Sequence, residues 1–132
     1  MAKTKWTKTL AVGIDLIDAQ HKDFIDYCSA AEDAISAEKS RDEIIAAIDK
    51  LEKMAVLHFN TEAGFMKNPA YLEAAGHKKL HKQFLDSLRM VRERARRGEK
   101  GADFALYFRQ NLTDWFVLHI EKTDKALKEY NK

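Results

Sequence analysis

Five histidines, His21, His58, His77, His81 and His119, stand in the chain at spacings suited to metal ligation. His58-Phe-Asn-Thr-Glu62 sets an imidazole and a carboxylate one helical turn apart on one face, rising about 6 Å along the axis. His77-Lys-Lys-Leu-His81 repeats that geometry with two imidazoles, a common way for a helix to grip one metal ion. A single histidine on an apolar face is ordinarily a satisfied core residue. Five together are different, because each neutral imidazole still needs partners for its ring nitrogens and apolar neighbours offer almost none. Glu62 strengthens the metal reading, since burying a carboxylate without a cation or donors costs several kcal/mol or forces it neutral. His119-Ile-Glu-Lys-Thr-Asp124 is less decisive. Five residues on an ideal helix turn about 140° past a full turn, so periodicity ranks Asp124 no higher than Glu121 or Glu129.

The elements that must carry these side chains follow from the 3.6-residue period. Four amphipathic segments are expected at about 18–37, 41–67, 69–97 and 103–130. Asp18 is expected as the first N-cap, Ser40-Arg41-Asp42-Glu43 reads as a capping box, and Asn68-Pro69 reads as an N-cap and first helical position. All five histidines fall on the apolar stripes. Short connections between long helices imply antiparallel neighbours. The expected fold is therefore all-α, a single-domain antiparallel up-down-up-down four-helix bundle spanning residues 1–132, with a non-helical N-terminal arm (1–17) anchored by Trp6.

Composition agrees and excludes other classes. In 132 residues there are one proline and five glycines, too little turn chemistry for a β-sandwich or barrel. Lys plus Arg (23) nearly balances Asp plus Glu (21), which argues against a nucleic-acid binder. The basic run of Arg89, Arg92, Arg94, Arg96, Arg97 and Lys100 reads as a solvated helix C-terminus favoured by the dipole, with Glu93 and Glu99 offsetting it. One cysteine, Cys28, excludes an intrachain disulfide framework and a thiolate-rich metal site. No apolar run approaches a membrane span, and a cytoplasmic protein is expected.

Taken together, His21 within Ile17-Asp18-Ala19-Gln20-His21-Lys22, HxxxE at 58–62, HxxxH at 77–81 and HxxxxD at 119–124 resemble the hemerythrin family, its single-domain bacterial members in particular. Phe59, Met66, Tyr71, Trp115 and Ile120 support the likeness, which covers about residues 6–124. The resemblance implies a non-haem di-iron centre: His77, His81 and His119 on one iron, His21 and His58 on the other, with Glu62, Asp124 and an oxo or hydroxo group bridging both. That set fills all but one position of two six-coordinate irons, and the opening falls on the iron held by His21 and His58. It implies reversible dioxygen binding there, for storage, transport or delivery to an oxygen-consuming partner protein. Two other functions are an oxygen or redox sensor acting through a separate partner, and a di-iron enzyme handling peroxide or nitric oxide.

Binding is favoured over catalysis. The carboxylate-rich di-iron proteins use Glu-x-x-His motifs, whereas Asp18, Ala55, Ala74, Lys78 and Phe116 stand three residues before the five histidines. Family members often carry leucine where Phe116 stands. Phe116 and Trp115 are accordingly the candidate pocket residues, expected to shape ligand entry and keep the site dry.

Overall fold

The structure, a computed structural model, describes residues 4–126. Within them the fold is an antiparallel four-helix bundle. Helix α1 spans Asp15–Ser36, α2 Arg41–Phe65 and α3 Ala74–Arg96, while the fourth rod comprises α4 (Ala102–Phe108), a π-helical segment (Arg109–Thr113) and α5 (Asp114–Lys122). Cross-helix pairs give the directions. Arg92 near the end of α3 reaches Asp49 and Glu52 early in α2, and Gly101 N–H, just before α4, donates to the Ile35 carbonyl at the end of α1. The core lines the bundle axis and includes Ile17, Phe24, Ile35, Ile48, Leu51, Phe84, Phe108, Leu112, Phe116 and Ile120, all fully or almost fully buried.

Several helix ends differ from the sequence expectation, each for a local reason. Helix α1 starts three residues earlier than Asp18. The Asp18 carboxylate instead accepts from the N–H groups of Val12 (2.8 Å) and Gly13 (3.3 Å), folding the arm back over the first turn. Gly13 permits this with φ 86°. The arm is not wholly non-helical, because Lys8–Leu10 form a 3₁₀ turn. Trp6 packs against the core, with the Lys22 ammonium 4.4 Å above its ring. Ser40 caps α2 by accepting from Glu43 N–H, while its hydroxyl donates to the Glu43 carboxylate. Asn68-Pro69 opens a turn and not a helix: Asn68 Oδ1 accepts from Ala70 N–H and the Asn68 carbonyl from Tyr71 N–H. This turn delays α3 to Ala74 and drives the Tyr71 ring into the protein.

The expected continuous fourth helix is interrupted. Phe104, Phe108, Leu112, Phe116 and Ile120 are all buried and stand four residues apart. On an ideal α-helix that spacing drifts about 40° per step and would carry the stripe off the core. The wider turns at Arg109–Thr113 take up the drift and keep the five side chains inward. After Lys122 the helix gives way to a 3₁₀ turn at 124–126. The segment expected at 127–130 lies outside the described residues.

Candidate metal centre

All seven sequence-derived ligand candidates converge at one end of the bundle. His21 comes from α1, His58 and Glu62 from α2, His77 and His81 from α3, His119 from α5 and Asp124 from the turn beyond it. His21, His58, Glu62 and Asp124 are completely buried, and His81, the most accessible, is 6% exposed. Their ligand atoms form two groups: Glu62, His77, His81, His119 and Asp124 in one, and His21, His58, Glu62 and Asp124 in the other, with both carboxylates common to the two. The geometry thus supplies what periodicity left open about Asp124. Because α5 ends at Lys122, Asp124 leaves the ideal helical angle and crosses the end of the site. Its Oδ2 lies 2.9 Å from His21 Nε2, and its Oδ1 lies 3.0 Å from Nε2 of both His77 and His119. Glu62 likewise reaches His58 Nε2 at 2.6 Å through Oε1 and His77 Nε2 at 3.3 Å through Oε2.

These close approaches fit a metal better than hydrogen bonding. Both oxygens of Glu62, Oδ1 of Asp124 and Nε2 of His58 are buried without a hydrogen-bond partner. They crowd together with lone pairs facing a common interior, the arrangement whose cost a cation removes. The Nε2 atoms of His77 and His81 each lie 3.2 Å from that of His119. Cis ligands about 2.1 Å from one metal are separated by about 3 Å, so both of these separations have the length expected between ligands of one metal.

Electrostatics point the same way. Burial favours neutral imidazoles at His58 and His77, yet the Asp124 and Glu62 carboxylates outweigh it and hold both up at about 9. His81 is pushed down to about 2, by burial first and then by His77 and His119. Burial alone would raise Asp124, but the Glu62, His119 and His21 side chains crowded against it hold it well below the usual carboxylate range. Two buried carboxylates therefore demand positive charge, which metal ions supply in place of protons.

Residues 12–130 match the hemerythrin HHE cation binding domain family. The chain belongs to the hemerythrin family. It is 30% identical over all of its length to a bacteriohemerythrin of Stenotrophomonas maltophilia, covering 84% of that protein. It is 31% identical to a myohemerythrin of Sipunculus nudus over 93% of this chain and 89% of the relative. A crystal structure of wild-type hemerythrin superposes with a TM-score of 0.78 at 29% identity, over 95% of each chain. A leucine-to-alanine mutant of hemerythrin gives 0.81 at 28% identity, over 98% of each.

Around this hemerythrin site the two candidate pocket residues part company. The Phe116 ring stacks on Phe24 (3.6 Å between centroids, 8° between planes) and sets its edge against His21 at 5.4 Å and His58 at 5.9 Å. Trp115 packs on the other group, stacked on His119 at 4.9 Å. Phe59 stacks on His81 at 3.9 Å. Two neighbours of the imidazoles escaped the sequence reading in this role: Gln20, 2.9 Å from His58 Nδ1, and the Tyr71 hydroxyl, 2.7 Å from His77 Nδ1. A buried glutamine beside His21 was the available signal for the first.

Elsewhere much of the basic end of α3 is paired in place. Arg92 pairs with Asp49 and Glu52, Arg94 makes a two-bond pair with Glu99, and Arg96 meets Glu93. Cys28 is buried, and burial pushes its thiol up, away from reactivity. Among the described residues no helix is long and apolar enough to cross a membrane.

Proposed function

We propose that this hemerythrin binds dioxygen reversibly at a non-haem di-iron centre and serves in oxygen storage, transport or delivery. The observation that carries this is the pair of ligand groups sharing Glu62 and Asp124. In this reading His77, His81 and His119 hold one iron, His21 and His58 hold the other, and the two carboxylates bridge them. The irons, when bound, supply the electrons that dioxygen takes up. The protein does the rest. His21 and His58 offer only two imidazoles, leaving room for an exogenous ligand on their side. Phe24 and Phe116 wall that side with apolar rings and exclude water.

Binding and release, not turnover, is the chemistry this lining favours. The buried titratable groups among the described residues are the ligand set, Cys28, Tyr71 and Glu32; Tyr71 stands against His77 on the other side, and Glu32 is engaged by Arg109. No group beyond the ligands stands against His21 and His58 to serve as a general acid for cleaving a bound oxygen ligand. Metal analysis with optical spectra under argon and under air tests the proposal. Two irons per chain and a charge-transfer colour that appears with oxygen and fades on its removal are expected. A different metal content, or a colour that never reverses while oxygen is consumed catalytically, would overturn it.

A further inference from the structure

The five imidazoles differ at the nitrogen that faces away from the centre. The Nδ1 atoms of His21 and His119 find no protein hydrogen-bond partner, whereas His77 Nδ1 meets Tyr71 and His58 Nδ1 meets Gln20. The Gln20 contact belongs to a chain whose donors and acceptors can all be assigned. The Thr61 hydroxyl donates its one proton to the Leu57 carbonyl at 3.0 Å, one turn back on α2. Its oxygen is left as an acceptor, and Gln20 Nε2 donates to it at 3.1 Å. The amide is thereby oriented, so Oε1 faces His58 Nδ1 at 2.9 Å. An acceptor there requires the His58 proton on Nδ1 and turns the Nε2 lone pair toward Glu62 and the centre.

We propose that Gln20, oriented by Thr61, is the positioning residue for the deeper half of the site: it sets the tautomer and ring angle of His58. As an amide it does so without adding a third negative charge to a site that already buries Glu62 and Asp124. Tyr71 has the corresponding role for His77 in the other half. The inference rests on His58 and His77 being metal ligands. Outer partners of this kind typically account for about 10- to 100-fold in metal affinity.

The test is anaerobic loading with ferrous iron followed by timed release into a colorimetric chelator, for the wild type, Q20L, T61V, Y71F and the Q20L/Y71F pair. The wild type is expected to release two irons slowly. Q20L should speed release of half the iron by about 10- to 100-fold, and T61V should do so to a smaller degree. Y71F should speed the other half, so that the double variant releases all of it fast. Q20E should retain iron at least as well as the wild type and shift the midpoint potential downward, since a carboxylate acceptor makes His58 a more basic ligand. Release unchanged in Q20L and T61V, with metal-free and loaded forms losing equal thermal stability, would make Gln20 merely structural and overturn the inference. Wild-type protein that fails to load two irons overturns the metal reading itself, and this inference with it.

Discussion

Phe116 is where a single side chain sets access to the site. Its ring stacks on Phe24 and presses its edge to His21 and His58, the two imidazoles on the side with room for an exogenous ligand. Trimming it to leucine shortens the wall there and removes the stack. Phe116→Leu is expected to speed both oxygen dissociation and autoxidation, measured by stopped flow and by loss of the oxygenated colour, while costing about 1 kcal/mol of stability. Rates equal to wild type would show that the ring plays no part in ligand access. At this scale the sequence spoke clearly for His58, Glu62, His77 and His81, because i, i+4 spacing needs only a helix to become geometry. It was silent on the partners of the outward nitrogens. Gln20 and Thr61 lie 41 positions apart and meet only when α1 packs on α2.

Between residue and bundle, the fourth rod has the most to account for. One carboxylate clasps both ends of its π-helical segment: Glu32 on α1 accepts from Arg109 Nε at 2.6 Å and from the Thr113 hydroxyl at 3.4 Å. Burial nevertheless raises the Glu32 pKa above the usual carboxylate value, more than Arg109 and Thr113 lower it. Arg109→Ala would leave that charge buried and is expected to cost about 3 kcal/mol at neutral pH. A carboxyl whose folded pKa is raised gains stability as pH falls through that value, so the deficit should shrink in acid. Urea melts of wild type and variant at pH 7 and pH 5 check both the size and the sign. Helix α1 makes a second local compromise at its end. Glu38 takes φ 54°, with Lys39 N–H returning to the Ala34 carbonyl, a C-terminal motif that favours glycine. Glu38→Gly is therefore expected to raise stability by about 1 kcal/mol, read from the denaturant midpoint. The capping role of Ser40 was legible because a cap is a contact between near neighbours. Asn68-Pro69 misled because the same dipeptide opens a turn as readily as a helix, and the inward placement of Tyr71 selects the turn here.

For the molecule as a whole, site and fold are one thermodynamic unit. All four rods of the bundle, with the turn beyond the last, contribute side chains to the cluster, and both oxygens of Glu62, Oδ1 of Asp124 and Nε2 of His58 lack hydrogen-bond partners of their own. Metal therefore stabilises the bundle, and stripping it should lower the melting temperature by about 10 °C or more, with calorimetry of loaded and chelator-treated protein as the measurement. Equal melting of both forms would separate the fold from its centre. Amphipathic periodicity and the spacing of the histidines were enough to establish four helices, their inward faces and the presence of a metal site, because these depend on near neighbours along a regular backbone. The bridging position of Asp124, the widened turns at 109–113, the separation of Phe116 from Trp115 and the orientation of Gln20 were not legible that way. Each depends on where one helix ends or on what the next helix places against it, and those are properties of packing between segments distant in the chain.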